Sequence, residues 1–102
     1  MKVQEMSEQL FLVIAHDKQG AEDLRAQHRD AHVAYLKKSH GGVQIDVGGP
    51  LTADEKNSAG TFLIVRAADR MSVEQFVAGD PFAAAGIFGS VDIKPCKVTL
   101  RS

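Results

Sequence analysis

The residues with the clearest capacity for chemistry are one aspartate and one histidine, far apart in the chain. Asp80 stands in the run Gly79-Asp80-Pro81-Phe82-Ala83-Ala84-Ala85-Gly86, before a proline at an expected helix start and ahead of apolar sequence. Read locally, it is an N-cap with proline at the first helical position. Read chemically, it is the carboxylate half of an acid–base pair, and His32 is its best partner. An imidazole titrates near neutral pH and so takes up or delivers protons at working pH. A carboxylate against it fixes the tautomer and stabilises the imidazolium. The two readings of Asp80 are compatible, since one oxygen caps while the other meets the ring. The alternative for His32 is a satisfied, half-buried ring packed against a sheet.

Neighbours of His32 extend the set. Arg29 lies three residues earlier on the adjoining helical face, where it holds an anionic group of a substrate or faces solvent. His28, four residues before His32, faces the same way. Tyr35, the only tyrosine, lines the same pocket or serves as a core aromatic with its hydroxyl at the edge. Two histidines four apart can bind a metal, but Arg29-Asp30-Ala31 stands between them, without the glutamate of a metalloprotease helix. No metal and no cofactor are expected. Cys96 beside Pro95 has no histidine at a diagnostic spacing, and Ser58 and Ser90 form no nucleophile elbow. Gly48-Gly49-Pro50 lets a ligand approach backbone or makes a tight turn, and it has no phosphate-loop pattern.

Few elements are available to position these side chains. Leu10-Phe11-Leu12-Val13-Ile14-Ala15 is a continuous apolar run that predicts a strand covered on both faces. Across Ala21–Ser39, residues Ala21, Leu24, His28, Ala31, His32, Tyr35 and Leu36 recur three or four apart. That period predicts an amphipathic helix closed by Gly41-Gly42. Val43, Ile45 and Val47 alternate with polar residues as a half-buried strand, which Gly48-Gly49-Pro50 closes. Thr52–Ala59 is expected as a surface loop and Thr61–Val65 as the next strand. Ser72 and Gln75 fit a capping box for a helix carrying Phe76 and Val77, with Met71 as staple residue and Gly79 as its end. A second helical turn starts at Asp80-Pro81. Ser90–Leu100 alternates unevenly around Pro95, which implies an edge or a bulge. The order is β-α-β-β-α-β, an α+β arrangement.

The formal net charge of -1 gives no basic footprint, so neither nucleic acid nor a membrane surface is an expected partner. A single cysteine excludes an intrachain disulfide and fits a cytoplasmic setting. Leu10–Ala15 is too short to span a bilayer. Residues 1–9 are too acidic and polar for a signal peptide and read as a flexible leader to one domain over residues 10–102. Two helices on one face of a sheet leave the other bare, and Leu10–Ala15 and Thr61–Val65 are too apolar for a wet face. The simplest cover is a second copy of the chain, giving a homodimer through the sheet faces, or a higher assembly of dimers.

Several of these stretches together resemble the YCII-related (YciI-like) family. They are Phe11–Ala15, Arg29-Asp30-Ala31-His32 with Leu36, Gly48-Gly49-Pro50, Gly60, Asp80-Pro81-Phe82-Ala83-Ala84-Ala85-Gly86-Ile87-Phe88 and Val91–Pro95. The resemblance covers about residues 10–100. It implies a ferredoxin-like fold with an antiparallel sheet that dimerises as an α/β barrel. It also implies a pocket holding a histidine–aspartate pair, here His32 and Asp80, with Arg29 as the motif arginine and Gly49-Pro50 forming the pocket. His28, Tyr35 and Phe82 complete the candidate substrate-binding set. One branch of the family is similar to enzymes that eliminate chloride from chlorinated hydroxyquinols, and most members have no assigned reaction. The acidic leader and His28 depart from simpler members.

The expected function is small-molecule acid–base chemistry of lyase or isomerase type, on an anionic or hydroxylated ring compound. His32 would move the proton, Asp80 would orient it and Arg29 would assist an anionic oxygen. The alternative is a non-catalytic ligand-binding or interaction domain on the same scaffold. A heme-handling or oxygenase domain is disfavoured by the low aromatic content and the lack of a cofactor motif.

Overall fold

The first apolar run becomes an inner strand. In the computed structural model, which describes residues 9–54 and 57–101, β1 spans Gln9–Asp17 and pairs on both edges. The remaining elements are α1 (Glu22–Leu36), β2 (Gln44–Thr52), β3 (Ser58–Ala67), α2 (Arg70–Ala78), α3 (Pro81–Ala84) and β4 (Phe88–Cys96). The four strands are all antiparallel, in the order β2-β3-β1-β4. This is the ferredoxin-like topology expected from the element order. Gln9, assigned to the leader by sequence, opens β1; residues 1–8 lie outside the described residues.

The expected barrel is overturned. The sheet is open, with β2 at one edge and β4 at the other. Four strands leave two unpaired edges, whereas a closed barrel takes roughly eight.

Alternation along β1 and β3 sends Phe11, Val13, Leu63, Val65 and Ala67 to the helix side. There they join Val73, Phe76 and Val77 of α2, with Val43 and Ile93, in the main core. Each fully buried side chain of this kind contributes about 1.5–3 kcal/mol. A smaller core of Ala21, Phe82 and Ile87 seats α3. The opposite face carries Leu12, Ile14, Phe62 and Ile64, all half-buried, with no helix over them among the described residues. No helix among the described residues is long and apolar enough to cross a membrane.

Three local expectations change. Gly48-Gly49-Pro50 lies inside β2 rather than in a turn, because an edge strand tolerates proline. Gly48 is fitted to that place: a Cβ there would meet Leu63 Cδ2 at 2.5 Å and the Phe62 carbonyl oxygen at 2.8 Å. The cap of α2 is Asp69, whose carboxylate accepts from the Ser72 N–H at 2.9 Å, so Met71 lies inside the helix and is exposed. On α1 only His32 is buried, and Leu24 of the predicted apolar stripe is 41% exposed. Polar side chains facing a cavity, described next, account for the stripe's rotation.

Candidate active site

The geometry of the site begins with the cap of α3. Asp80 is extended (φ -65, ψ 133), Pro81 follows at the first helical position, and Asp80 Oδ1 accepts from the Phe82 N–H at 2.9 Å. Phe82 is fully buried in the small core, which holds the turn in place. The capping carboxylate therefore has one orientation, and it faces α1. His32 Nδ1 lies 2.8 Å from Asp80 Oδ1 and 2.9 Å from Oδ2. The imidazole stacks on the Phe82 ring with centroids 3.8 Å apart and planes 7° from parallel. One short run thus supplies the acceptor that orients the histidine and the surface it packs on. Capping and pairing coexist on the same carboxylate.

A carboxylate only accepts, so Nδ1 carries the proton and Nε2 keeps its lone pair. Nε2 makes no hydrogen bond among the described residues, and His32 lines a cavity of about 310 Å³. One wall of that cavity is α1, through Arg25, Arg29, His32, Leu36 and Lys37. The other is sheet, through Ile45, Gly48, Gly49 and Pro50 of β2 and Thr61 and Leu63 of β3. Cationic and imidazole heads therefore face a flat, uncharged surface. That arrangement suits a planar anion with apolar faces. Among the described residues no three His, Cys, Asp or Glu side chains gather as a metal set.

A second polar pair sits at the same cavity. Arg25 Nε donates to Asp17 Oδ2 at 2.8 Å, while Nη2 donates to the Gly60 carbonyl at 2.5 Å and to Thr61 Oγ1 at 3.1 Å. The guanidinium carbon lies 4.7 Å from the Phe82 ring centroid. Asp17 Oδ1 is buried without a hydrogen-bond partner. Burial pushes the Asp17 carboxyl above its usual range, against the opposing pull of Arg25 and, more weakly, His32.

Of the residues singled out from sequence, His32 and Asp80 meet directly. Arg29, Gly49 and Pro50 line the cavity beside them, and Phe82 lies against the imidazole. Tyr35 and His28 are not among the lining residues. The Tyr35 hydroxyl donates to the Phe76 carbonyl at 2.8 Å and its ring stacks on His40. Burial, and then the Asp80 carboxylate, push the Tyr35 phenol up. His28 is half-buried on α1. Sequence reasoning missed Arg25, Asp17 and Thr61. The available signal was spacing: Arg25, Arg29, His32 and Leu36 continue one helical face.

A model of the YCII-related domain matches residues 9–97. The chain belongs to the YCII-related domain family. It is 28% identical over 94 residues to the protein YciI of Escherichia coli and to that of Shigella flexneri, covering 86% of this chain and 96% of each relative. Among solved structures it is similar to 5-chloro-2-hydroxyhydroquinone dehydrochlorinase from Burkholderia phenoliruptrix, in complex with 2,5-dihydroxybenzoquinone. The TM-score is 0.77 and the identity 35%, over 86% of this chain and 93% of that one.

Proposed function

We propose that this YCII-related protein is an enzyme that moves protons on a hydroxylated, anionic ring compound, as a lyase or isomerase. The observation that carries the reading is His32: Asp80 fixes its ring from one side, and Nε2 is left without a protein partner at the cavity. Nε2 takes the proton of a ring hydroxyl, and Asp80 stabilises the imidazolium that forms. Returning that proton to a ring carbon completes a tautomerisation. On a chlorinated ring, protonation of the chlorine-bearing carbon is followed by loss of a second hydroxyl proton, and chloride leaves with its bonding pair. The net change is loss of one proton and one chloride, and no oxidant or reductant is consumed. Similarity to a dehydrochlorinase supports this second outcome.

The test is chloride release from 5-chloro-2-hydroxyhydroquinone by wild type, His32→Ala and Asp80→Asn. Wild type turns it over, and His32→Ala loses about 100-fold or more in kcat/KM. Full activity in both variants rejects the pair. Tight binding of the ring by wild type without turnover favours a ligand-binding domain instead.

We infer further that the helix-free sheet face meets a second copy of the chain, which would cover Leu12, Ile14, Phe62 and Ile64. Light scattering then gives twice the chain mass, and a monomer at micromolar concentration contradicts it. The single cysteine supports a cytoplasmic setting. The net charge of -1 supports neither nucleic acid nor an anionic membrane as partner.

A further inference from the structure

We propose that the cavity beside His32 has a second, apolar compartment that takes an alkyl side chain of the ring substrate, with an anionic group at the end of that chain meeting Lys37. The proposal rests on the ring-compound reading above and names what the ring carries.

The cavity is larger than one ring needs. Its volume is about 310 Å³, whereas a cavity of about 150 Å³ holds benzene. It is also long: α1 and its C-cap line it from Arg25 to Lys37, about 18 Å along the helix axis. The two ends differ in chemistry. Arg25 donates to Thr61 Oγ1, which places the start of α1 over the Thr61 end of β3. Thr61 pairs with Pro50, Leu63 with Gly48 and Val65 with Ile45. The sheet wall therefore changes from Thr61 and Pro50 to Leu63 and Ile45 toward the end of α1. Val33 and Leu36 line the helix side of that apolar end.

Most of this end is built before any ligand arrives. Leu36 and Ile45 are half-buried and pack against the main core. Leu63 lies across Gly48, where a Cβ would meet Leu63 Cδ2 at 2.5 Å, so a larger residue at Gly48 would displace that wall. Val33 is different. It is 36% exposed and borders the cavity without joining the core. An alkyl chain laid against it takes apolar surface out of water on both sides, which gains about fourfold in affinity for each methylene buried. Lys37 lies four residues on, where side chains on a helix are neighbours. It lines the same cavity, is exposed, and its ammonium meets no carboxylate among the described residues. No described Asp or Glu lines the cavity either, so an anion at the end of the chain meets only positive charge.

The experiment is an absorbance titration with 2,5-dihydroxybenzoquinone and its propyl and carboxyethyl derivatives, substituted on a ring carbon. Wild type binds the propyl ring about 10-fold or more tighter than the parent. Val33→Asp cuts that gain to about threefold or less, and Val33→Thr, which keeps the shape, falls between. Lys37→Met weakens the carboxyethyl ring about two- to fivefold relative to the propyl ring, and high salt does the same to wild type. Val33 and Lys37 are both exposed, so none of these changes empties the core. A propyl ring bound no tighter than the parent, a propyl gain that survives Val33→Asp in full, or a Lys37→Met ratio equal to that of wild type overturns the proposal. Chloride release from the chlorinated ring by a wild type that gains nothing from the propyl group removes the compartment and leaves the proposed function standing. A wild type that binds none of the three rings and releases no chloride overturns both.

Discussion

Asp80 is buried and Asp17 half-buried, and each holds a nitrogen head of α1, yet they are wired differently. Asp80 Oδ1 accepts from the Phe82 N–H, and both its oxygens lie within 2.9 Å of His32 Nδ1, so the carboxylate is fully partnered. Asp17 gives Oδ2 to Arg25 Nε, while Oδ1 is buried without a partner. The partners differ too. An imidazole gains and loses its charge near neutral pH, and a guanidinium keeps its charge throughout. The first pair is therefore suited to moving a proton, and the second to holding a fixed positive charge.

Breaking the first pair has the largest expected effect. Asp80→Asn retains a capping oxygen but also offers an amide where His32 needs an acceptor. Chloride release should fall about 100-fold or more, with little change in melting temperature. Asp80→Ala removes the cap as well and strands a buried imidazole. Urea unfolding should register a loss of about 3–5 kcal/mol. Turnover by Asp80→Asn equal to wild type would show that Asp80 caps a helix and does nothing more.

The second pair can be disturbed from behind. Gly60→Ala places a methyl group against the Ala15 carbonyl, and backbone cannot yield as a flexible side chain does. Denaturant unfolding should show a loss of about 1–3 kcal/mol. Affinity for 2,5-dihydroxybenzoquinone should fall with it, because the Gly60 carbonyl accepts from Arg25, which lines the cavity. Loss of stability with unchanged affinity would uncouple the sheet from the cavity.

The elements legible in the sequence were those whose period is set by burial. β1 and β3 read correctly because inner strands are apolar along their length. The Asp80-Pro81 cap read correctly because cap chemistry is local. The pairing of His32 with Asp80 follows from residue types, topology and the family resemblance, whereas nothing in the sequence marks the stacking of the Phe82 ring on the imidazole. Gly48-Gly49-Pro50 has the composition of a turn, and only the edge position of β2 explains why it is strand. Arg25 stayed hidden because a charged residue on an amphipathic helix ordinarily marks the wet face. On α1 the polar stripe lines a cavity, and the apolar residue Leu24 faces out. Sheet closure was out of reach because a resemblance carries a family's assembly, whereas one chain supplies only four strands.

The smallest effects carry opposite signs, and the sign separates a buried carboxylate from an exposed one. Burial raises the Asp17 carboxyl in the folded protein, so the fold binds that proton more tightly than the unfolded chain does. The contribution is fully present below the ordinary aspartate range and is lost as pH rises through the raised value. The stability of wild type relative to Asp17→Asn should therefore decline as pH rises from the ordinary aspartate range through the raised value. Asp69 behaves in reverse. The Ser72 N–H, and then its hydroxyl, hold the Asp69 carboxyl below its usual value. Its contribution is present above the ordinary range and is lost as pH falls through the lowered value. Asp69→Ala should lower the melting temperature slightly near neutral pH and not at all in strong acid, since protonation already weakens the cap. Melting curves of the three proteins across that range read both slopes. Slopes of the same sign would mean that Asp17 is governed by its ion pair with Arg25 and not by burial.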